Sequence, residues 1–274
     1  MTMNLDPSQF PEFDDHHNVV ALNDKISGLK GFVAVHRCRD DLPSFGATRL
    51  WNYKSSDEAL RDVLSLSKKM SYKAALANVP YGGAKGVLIT KPGLSSSERA
   101  EILVRYADEV DGMKGRFVTG TDVGMYRDDL QVMRERTRYV VGALGDPTVF
   151  TVQGIVDCMK VVLEEMYGSS SLTGRSVAIQ GLGKIGFLLL SKLYEEGVSL
   201  YAADIDAGLA DKAFGEFPGV RLAAPSEIAF QEVDIFAPCA MSGDLTSEVA
   251  AKVKIRPADN QSVITSSGYF VSLQ

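Results

Sequence analysis

The chain has 274 residues, a length typical of two domains that each bury a hydrophobic core. Its 29 Lys and Arg residues are outnumbered by 35 Asp and Glu residues, and the net charge of −6 argues against a protein that coats nucleic acid or an anionic membrane. A hydrophobic content of 45% and a charged content of 23% exclude disorder as the main state of the chain.

The cysteines and the N-terminal segment indicate the compartment. The 3 cysteines lie far apart, which argues against a disulfide framework. Met1 to Asp15 is polar and acidic, unlike a signal peptide, and no run approaches the roughly 18 apolar residues of a transmembrane helix. We therefore expect a cytoplasmic protein. His16 and His17 are adjacent, but the chain has only one further histidine, His36, so we expect no metal site.

The first part of the chain alternates strand-like and helical segments. In chain order we predict a loose arm over residues 1–17, strands at 30–36 and 47–51, a helix at 58–70, a turn at 80–83, a strand at 86–90 and a helix from 96 to 110. Ser55 to Asp57 caps the first helix, and Ser95 with Glu98 forms a capping box for the second. This alternation predicts an α/β layering.

A second unit is predicted after the break at Gly145-Asp146-Pro147. Its elements in chain order are a helix at 151–167, a strand at 175–180, a glycine-rich turn at 181–186, a helix to 196, and strands at 198–203, 233–237 and 262–265. This order is typical of a Rossmann-type, doubly wound nucleotide-binding domain. The sequence thus predicts two α/β domains, over residues 1–145 and 146–274.

Gly181, Gly183 and Gly186 form a Gly-x-Gly-x-x-Gly motif between a predicted strand and a predicted helix. The glycines permit a tight turn, close approach to a pyrophosphate and packing of the helix, whose N-terminus provides N–H donors. Asp204 ends the next predicted strand, where a carboxylate binds ribose hydroxyls and repels the 2′-phosphate of NADP, so the pattern favours NAD. The alternative is a tight corner with no ligand. The charge of Lys184 could contact a phosphate or point to solvent, and both interpretations stay open.

Two lysines and an aspartate lie among small residues of the first domain. Lys73 follows a predicted helix, Lys85 follows a glycine pair, and Asp122 lies in the Gly-flanked segment 119–124. In one cleft, one ammonium could hold a substrate carboxylate. The other, its pKa lowered by its like-charged neighbour, could act on water while the carboxylate transfers a proton. Each lysine could instead be a solvated surface charge, because spacing alone does not show that they meet.

A series of ordered segments resembles the glutamate/leucine/phenylalanine/valine dehydrogenase family, and within it the leucine, phenylalanine and tryptophan branch. The resemblance covers roughly residues 18–261. The segments that carry it are residues 45–51 (Phe-Gly-Ala-Thr-Arg-Leu-Trp), 70–75, 82–85, 119–124, 180–186, 234–240 and 258–261. The resemblance implies reversible, NAD-dependent oxidative deamination of an L-amino acid to its 2-oxo acid and ammonia.

The resemblance also implies roles for the lysines and the aspartate. Lys73 would bind the substrate carboxylate, Lys85 would activate the water that attacks the imine, and Asp122 would exchange protons with the amino nitrogen.

Further substrate contacts are implied for the neighbouring segments. Gly46 and Ala47 would adjoin the substrate carboxylate, while Phe45 and Gly120 would face the side chain. An apolar wall with room beside it favours an aliphatic or aromatic amino acid over glutamate.

The cofactor contacts follow from the same resemblance. Thr151 would lie near the nicotinamide, and Cys239 with Ala240 would form a turn beside the cofactor, with Cys239 structural. The cofactor-binding residues so implied are Gly181, Gly183, Lys184, Ile185, Gly186, Asp204, Thr151, Cys239, Ala240 and Asn260.

The resemblance also implies how the reaction proceeds. Hydride would pass to the nicotinamide as the cleft between the domains closes and excludes water. The chain would be a homo-oligomer, as its relatives are.

Two departures from the family pattern bear on activity. Asp259 replaces the usual Asn, which adds a carboxylate near the expected cofactor and substrate. The resemblance stops after Gln261, whereas relatives continue, so we expect a C-terminally shortened, incomplete second domain. The alternative function is therefore a catalytically impaired NAD-binding or regulatory homologue. A third interpretation, a hydroxy-acid dehydrogenase, lacks a histidine–carboxylate pair near these motifs.

Overall fold

The computed structural model of the protein describes residues 6–142, 145, 147–240, 249, 253, 262–266 and 269–273, the last two ranges as backbone only. Contacts within the chain divide it into two units, Met1–Asp146 and Pro147–Gln274. Each unit has a β-sheet and a hydrophobic core of its own. Both units are mixed α/β structures, as the sequence predicts.

The first unit is built on a mixed five-stranded sheet. Its strands are β1 (Asn18–Asn23), β2 (Lys30–Val35), β3 (Ser44–Phe45), β4 (Thr48–Trp51) and β5 (Gly82–Ile89). β5 is central, because β2 pairs with one of its edges in the antiparallel sense while β3 and β4 pair in succession with the other edge in the parallel sense. β5 is therefore an interior strand, and its residues are buried as far as Leu88.

Helices cover both faces of this sheet. They are α1 (Ser56–Leu76), α2 (Ser96–Gly112) and α3 (Arg127–Arg134). Successive residues of a strand point to opposite faces. Accordingly Phe32 and Val87 pack in one core with α1, whereas Val33 and Leu88 pack in another with α2. The helix starts follow the predicted capping chemistry, since Ser55 caps α1 and the capping box at Ser95 begins α2.

The second unit has a six-stranded sheet in the order β11-β10-β9-β6-β7-β8, parallel except for β11. Its elements are α4 (Thr148–Tyr167), β6 (Ser176–Gln180), α5 (Lys184–Glu195), β7 (Ser199–Ala203), α6 (Ala207–Glu216), β8 (Arg221–Leu222), β9 (Ile235–Pro238), β10 (Ser262–Ser266) and β11 (Tyr269–Leu273). The strand order reverses between β6 and β9. Ligands of open α/β sheets bind beyond the carboxyl ends of the strands at such a point.

Two predicted boundaries in the first unit are wrong. The helix predicted to end at Met70 continues to Leu76, so Lys73 lies inside its last turn instead of after it. The turn predicted at residues 80–83 is partly strand, because Gly82 and Gly83 pair with β3 and extend β5 toward the N-terminus. Both corrections place the lysines on regular structure.

The prediction of a loose arm over residues 1–17 is wrong for its described C-terminal part. His16 is buried, and its Nε2 atom lies 3.1 Å from the Leu64 carbonyl oxygen and 3.0 Å from Ser67 Oγ. His36 lies between Asp14 Oδ2, at 3.0 Å, and a serine hydroxyl of α1. The arm is therefore anchored to α1 by polar side chains, and β1, which the sequence analysis did not predict, follows it directly.

Three further features bear on the class of protein. The cysteines Cys38, Cys158 and Cys239 are all free thiols. Within the described ranges, no helix combines the length and the apolar character needed to cross a membrane. The same residues contain no group of three or more His, Cys, Asp or Glu side chains that could hold a metal ion.

The buried histidines predict a pH dependence of stability. Burial lowers the pKa of His16 and of His36 below the ordinary value, so below about pH 6.5 the unfolded chain binds protons that the folded chain does not. Stability is therefore full above that pH and falls as the pH drops. Urea unfolding at about pH 7.5 and about pH 5.5 measures this loss.

The loss should be smaller in His16→Gln, because the amide does not titrate. The solvent-exposed neighbour His17, changed to Gln, provides the matched control and should leave the loss as it is in the wild type. An equal loss in His16→Gln and in the wild type would contradict this account.

Candidate active site

Lys85 lies on the central strand β5 and is only 5% exposed. Strand alternation places it on the same face as Val87, which packs with α1. Its Nζ atom lies 2.7 Å from Asp122 Oδ2. Burial lowers the pKa of Lys85, Asp122 opposes this shift, and Arg49 and Lys73 add to it. The sequence predicts a lowered pKa from a like-charged neighbour, whereas burial is the larger cause.

Asp122 is positioned by backbone bonds between β4 and the segment that carries it. The Thr48 N–H donates to the Gly120 carbonyl and the Leu50 N–H to the Val123 carbonyl, each at 3.0 Å. The segment therefore runs beside β4 like a further strand. Burial by itself would raise the pKa of Asp122, but Lys85 and Arg49 outweigh it, so the pKa lies below the ordinary value. The carboxylate is thus ionised at neutral pH.

Arg49 links this pair to helix α1. Its Nε donates to Asp122 Oδ2 at 3.1 Å, and its Nη1 donates to Asp62 Oδ2 at 2.8 Å. The Tyr53 hydroxyl donates to the same Asp62 oxygen at 2.5 Å. The side chain of Arg49 is buried, so both ion pairs are shielded from water.

Lys73 lies in the last turn of α1 and keeps exposed surface. Desolvation by the surrounding protein lowers the pKa of its ammonium, while Asp122 opposes that shift. Lys73 and Lys85 also act on each other electrostatically. The structure therefore brings together Lys73, Lys85 and Asp122, which the sequence places in three separate segments.

The segment 45–47 packs directly on β5. A Cβ atom on Gly46 would lie 1.8 Å from the Ala84 carbonyl oxygen, so only glycine permits this approach. Gly120 lies close by, since a Cβ atom there would be 3.8 Å from the Gly46 carbonyl oxygen. Ala47 accepts a backbone hydrogen bond from β5, and the half-buried Phe45 ring contacts Tyr81 edge-on at 4.7 Å between centroids. All the predicted substrate-contact residues thus lie in one region of the first unit.

The glycine-rich turn of the second unit follows β6 at the point where the strand order reverses. Gly181 has φ +90°, and a Cβ atom on it would lie 2.7 Å from the Ala240 nitrogen. A Cβ atom on Gly186 would lie 1.8 Å from the Gly181 carbonyl oxygen, whereas one on Gly183 would meet nothing within 4 Å. The turn is therefore closed toward β9 and α5 and open at Gly183. Lys184, which is exposed, and Ile185, which is half-buried, begin α5.

Asp204 and Cys239 adjoin this turn. Asp204 Oδ2 accepts from the Leu182 N–H at 2.6 Å, and Oδ1 accepts from the Asp206 N–H at 2.8 Å. The Cys239 N–H donates to the Gln180 carbonyl at 2.7 Å, and burial raises the pKa of its thiol to about 12. A thiol of that kind is a poor nucleophile.

Thr151 and Asn260 are the remaining predicted cofactor residues. Thr151 lies in α4, where its hydroxyl donates to the Pro147 carbonyl at 3.2 Å. Asn260 falls outside the described residues, as does Asp259.

Sequence and structure comparisons identify relatives of the chain. Residues 12–139 match the family described as Glu/Leu/Phe/Val dehydrogenase, dimerisation domain. Leucine dehydrogenase from Bacillus cereus is 36% identical over 270 residues, covering 94% of this chain and 72% of that protein. Phenylalanine dehydrogenase from Lysinibacillus sphaericus is 35% identical over 258 residues, covering 90% and 67%. The crystal structure of L-tryptophan dehydrogenase from Nostoc punctiforme aligns with a TM-score of 0.65 at 35% identity, covering 92% of this chain and 70% of that one.

The mixed α/β fold and the similarity along most of the chain define an oxidoreductase of the amino-acid dehydrogenase class. More particularly, the chain belongs to the Glu/Leu/Phe/Val dehydrogenase family. The family predicted from the sequence motifs is confirmed.

Three residues of the polar cluster were missed by the sequence analysis: Arg49, Asp62 and Tyr53. Arg49 was visible in the segment 45–51, but nothing in the spacing shows that it reaches both α1 and Asp122. Arg49 is a charged residue in a strand of otherwise apolar and small residues. Such a residue is expected to be buried, and a buried charge requires a partner, so this pattern could have predicted an ion pair.

The packing of Gly46 generates a stability prediction. In Gly46→Ala the added methyl group would overlap the Ala84 carbonyl, and we expect a loss of about 1–3 kcal/mol in the free energy of unfolding. Gly154 lies on the exposed face of α4 with open space around it, so Gly154→Ala is the matched control and should gain about 0.5–1 kcal/mol. Chemical denaturation checks both values, and a Gly46→Ala protein as stable as the wild type would refute the close contact.

Proposed function

We propose that the chain catalyses the reversible oxidative deamination of an L-amino acid by NAD, giving the 2-oxo acid, ammonia and NADH. The observation that carries the proposal is the buried Lys85–Asp122 pair with Lys73 beside it. In this proposal the first unit binds the amino acid and the second unit, a Rossmann-type domain, binds NAD. The complete set of two lysines and an aspartate favours an enzyme over a regulatory homologue.

The exposed cation of the cluster suits an amino acid's carboxylate. Arg49 and Lys85 are buried and form ion pairs with Asp62 and Asp122, whereas Lys73 keeps exposed surface that a substrate can reach. Lys73 therefore binds the substrate carboxylate, with the Gly46–Ala47 backbone beside it.

Proton transfer falls to the buried pair. The lowered pKa of Asp122 leaves a carboxylate that accepts a proton from the substrate ammonium group. The lowered pKa of Lys85 favours the neutral amine, which accepts a proton from the water that attacks the imine carbon. Asp122 then returns a proton to the nitrogen of the carbinolamine, and ammonia leaves as the carbinolamine hydroxyl gives its proton to solvent and becomes the carbonyl of the 2-oxo acid.

The second unit fits a dinucleotide. Gly181 and Gly186 bring α5 and β9 close, while open space at Gly183 and the N-terminus of α5 suit a pyrophosphate. Asp204, at the end of β7, suits the ribose hydroxyls. When bound, the nicotinamide supplies the acceptor for the hydride that leaves the substrate Cα. We extend cofactor binding to Lys184, Ile185, Thr151, Cys239, Ala240 and Asn260 on the family resemblance.

Phe45 and Gly120 set the proposed side-chain pocket. The Phe45–Tyr81 ring pair offers an apolar wall, and Gly120 leaves room beside it. We therefore favour an aliphatic or aromatic amino acid over glutamate. The relatives compared above are named leucine, phenylalanine and tryptophan dehydrogenases, which supports that choice. The match to a domain described as a dimerisation domain supports a homo-oligomer.

The activity test is NAD reduction across a panel of L-amino acids. We expect turnover with one or more apolar amino acids, and a fall in kcat of about 100-fold or more in Lys85→Ala, since general-base catalysis contributes that much. Lys91, an exposed lysine paired with Glu98, gives the control Lys91→Ala, which should keep wild-type activity.

NADH binding, followed by fluorescence, should persist in Lys85→Ala. Bound NADH without turnover by the wild-type protein would instead support the regulatory homologue.

Asp204 predicts the cofactor preference. Asp204→Ala removes the hydrogen bonds between the Asp204 carboxylate and the ribose, so it should weaken NAD binding by about tenfold or more. The preference for NAD over NADP should also become smaller. Asp211, exposed on α6, gives the control Asp211→Ala. Dissociation constants for NAD and NADP that stay unchanged in Asp204→Ala would remove Asp204 from ribose binding.

A further inference from the structure

Arg49 is the most buried cation of the cluster after Lys85, at 8% exposure, and it contacts two carboxylates from different parts of the chain. Asp122 Oδ2 accepts a hydrogen bond from Arg49 Nε and forms an ion pair with Lys85 Nζ. Asp62 Oδ2 accepts hydrogen bonds from Arg49 Nη1 and from the Tyr53 hydroxyl. A continuous polar chain therefore runs from Tyr53 through α1 to the Lys85–Asp122 pair.

The geometry suits arginine alone among the cations. A guanidinium is planar and presents separate N–H donors at fixed angles, so it can hold two carboxylates at once, whereas an ammonium is a point charge on a flexible stem. Burying a guanidinium is costly unless its charge and donors are matched. Asp62 and Asp122 provide that match, and they raise the pKa of Arg49 in spite of burial.

We propose that Arg49, held by Asp62 and Tyr53, is the positioning residue that fixes the Asp122 carboxylate against Lys85 and sets the charge that this pair experiences. The inference rests on the function proposed above, because it assigns a role within the same site. Arg49 acts through Asp122 and does not itself contact the substrate.

The orienting effect follows from the two donors on one oxygen. With Arg49 on one side and Lys85 on the other, Asp122 Oδ2 is held in one place and rotation of the carboxylate is opposed. Proton transfer is sensitive to such placement, since a misplacement of about 1 Å can cost roughly 100-fold in rate.

The electrostatic effect has opposite signs for Arg49 and Asp62. The charged groups that act on Lys85 are Asp122, Arg49 and Lys73, and those that act on Arg49 are Asp62 and Asp122. The cation of Arg49 disfavours a proton on Lys85, and the anion of Asp62 partly cancels that cation. Removal of Arg49 should therefore raise the pH at which Lys85 loses its proton, and neutralisation of Asp62 should lower it.

The same unit contains a partly buried arginine–aspartate pair that serves as a comparison. Arg99 binds Asp129 through two bonds of 2.6 Å and donates to the Gly124 carbonyl, and neither partner contacts Lys85 or Asp122. A purely structural arginine of this kind should affect stability without affecting the ionisation of Lys85.

The test is the pH dependence of kcat for amino-acid oxidation in Arg49→Met, Asp62→Asn and Arg49→Lys. On the proposed function, we expect the kcat of the wild type to rise with pH as Lys85 loses its proton. We expect this rise to move up by about one pH unit in Arg49→Met and down by a similar amount in Asp62→Asn. Arg49→Lys keeps the charge and loses the geometry, so the rise should stay in place while kcat falls by about tenfold or more. KM for the amino acid should change little, because Lys73 is intact.

Arg99→Lys is the matched control and should leave the pH of the rise unchanged even if the protein is less stable. If Arg49→Met does not fold, two results still test the proposal. The rise in kcat should move to lower pH in Asp62→Asn, and it should stay at the wild-type pH in Arg49→Lys. Shifts of the same sign in Arg49→Met and Asp62→Asn, or a rise that no variant moves, would overturn the proposal.

A measurement without turnover separates this proposal from the proposed function. Lysine labelled with 13C at Cε reports its own titration by NMR, and comparison with Lys85→Arg assigns the Lys85 signal. The Lys85 titration should shift in the same directions as the kinetic rise. A wild-type chain that binds NADH and turns over no amino acid would refute the dehydrogenase, whereas a Lys85 titration that is the same in all variants would refute the role of Arg49.

Discussion

The burial of Lys85 beside Asp122 is the interaction on which the rest of the first unit depends. An ammonium group on the central strand of a sheet would lose most of its hydration, which costs several kcal/mol unless a counter-ion is in contact. Asp122 provides that contact at 2.7 Å, and the backbone bonds between β4 and its segment hold it there. The effect of burial on the Lys85 pKa is larger than the opposing effect of Asp122, so the pKa is lowered. Burial therefore makes the amine easier to deprotonate.

Close backbone packing brings the other polar groups to this pair. A Cβ atom on Gly83 would lie 2.1 Å from the Ser71 nitrogen, so α1 lies directly against β5 two residues before Lys73 and Lys85. Gly46 allows the segment after β3 an equally close approach to Ala84. Glycine at these positions is therefore a geometric requirement, and it explains why small residues flank the charged ones in the sequence. In the second unit, Gly186 has the same relation to Gly181.

Local patterns predicted much of the fold, and long-range contacts account for what they missed. Ser55 and the Ser95 capping box marked helix starts that the structure confirms, because a cap is a contact within a few residues. The end of α1 was misplaced, since residues 71–76 carry no apolar periodicity, and the helix continues there because Ser71 packs closely on Gly83 of β5. The arm was predicted wrongly because the hydrogen-bond partners of His16 and His36 lie on α1, and hydrophobic periodicity does not show such long-range contacts.

The candidate site was predicted in part. Lys73, Lys85 and Asp122 were found from composition and resemblance, whereas the link from Asp62 through Arg49 to Asp122 could be seen only in the three-dimensional structure.

The most direct test of the account follows the hydrogen that leaves the substrate. An apolar L-amino acid deuterated at Cα is incubated with NAD and the wild-type protein, and in parallel with Asp122→Asn, which keeps the shape of the carboxylate and removes its charge. The account predicts that the wild type places deuterium at C4 of the nicotinamide and releases one ammonia for each NADH, and that Asp122→Asn does so far more slowly. Bound NADH with no deuterium transfer by the wild-type protein, or equal transfer by both proteins, would contradict it.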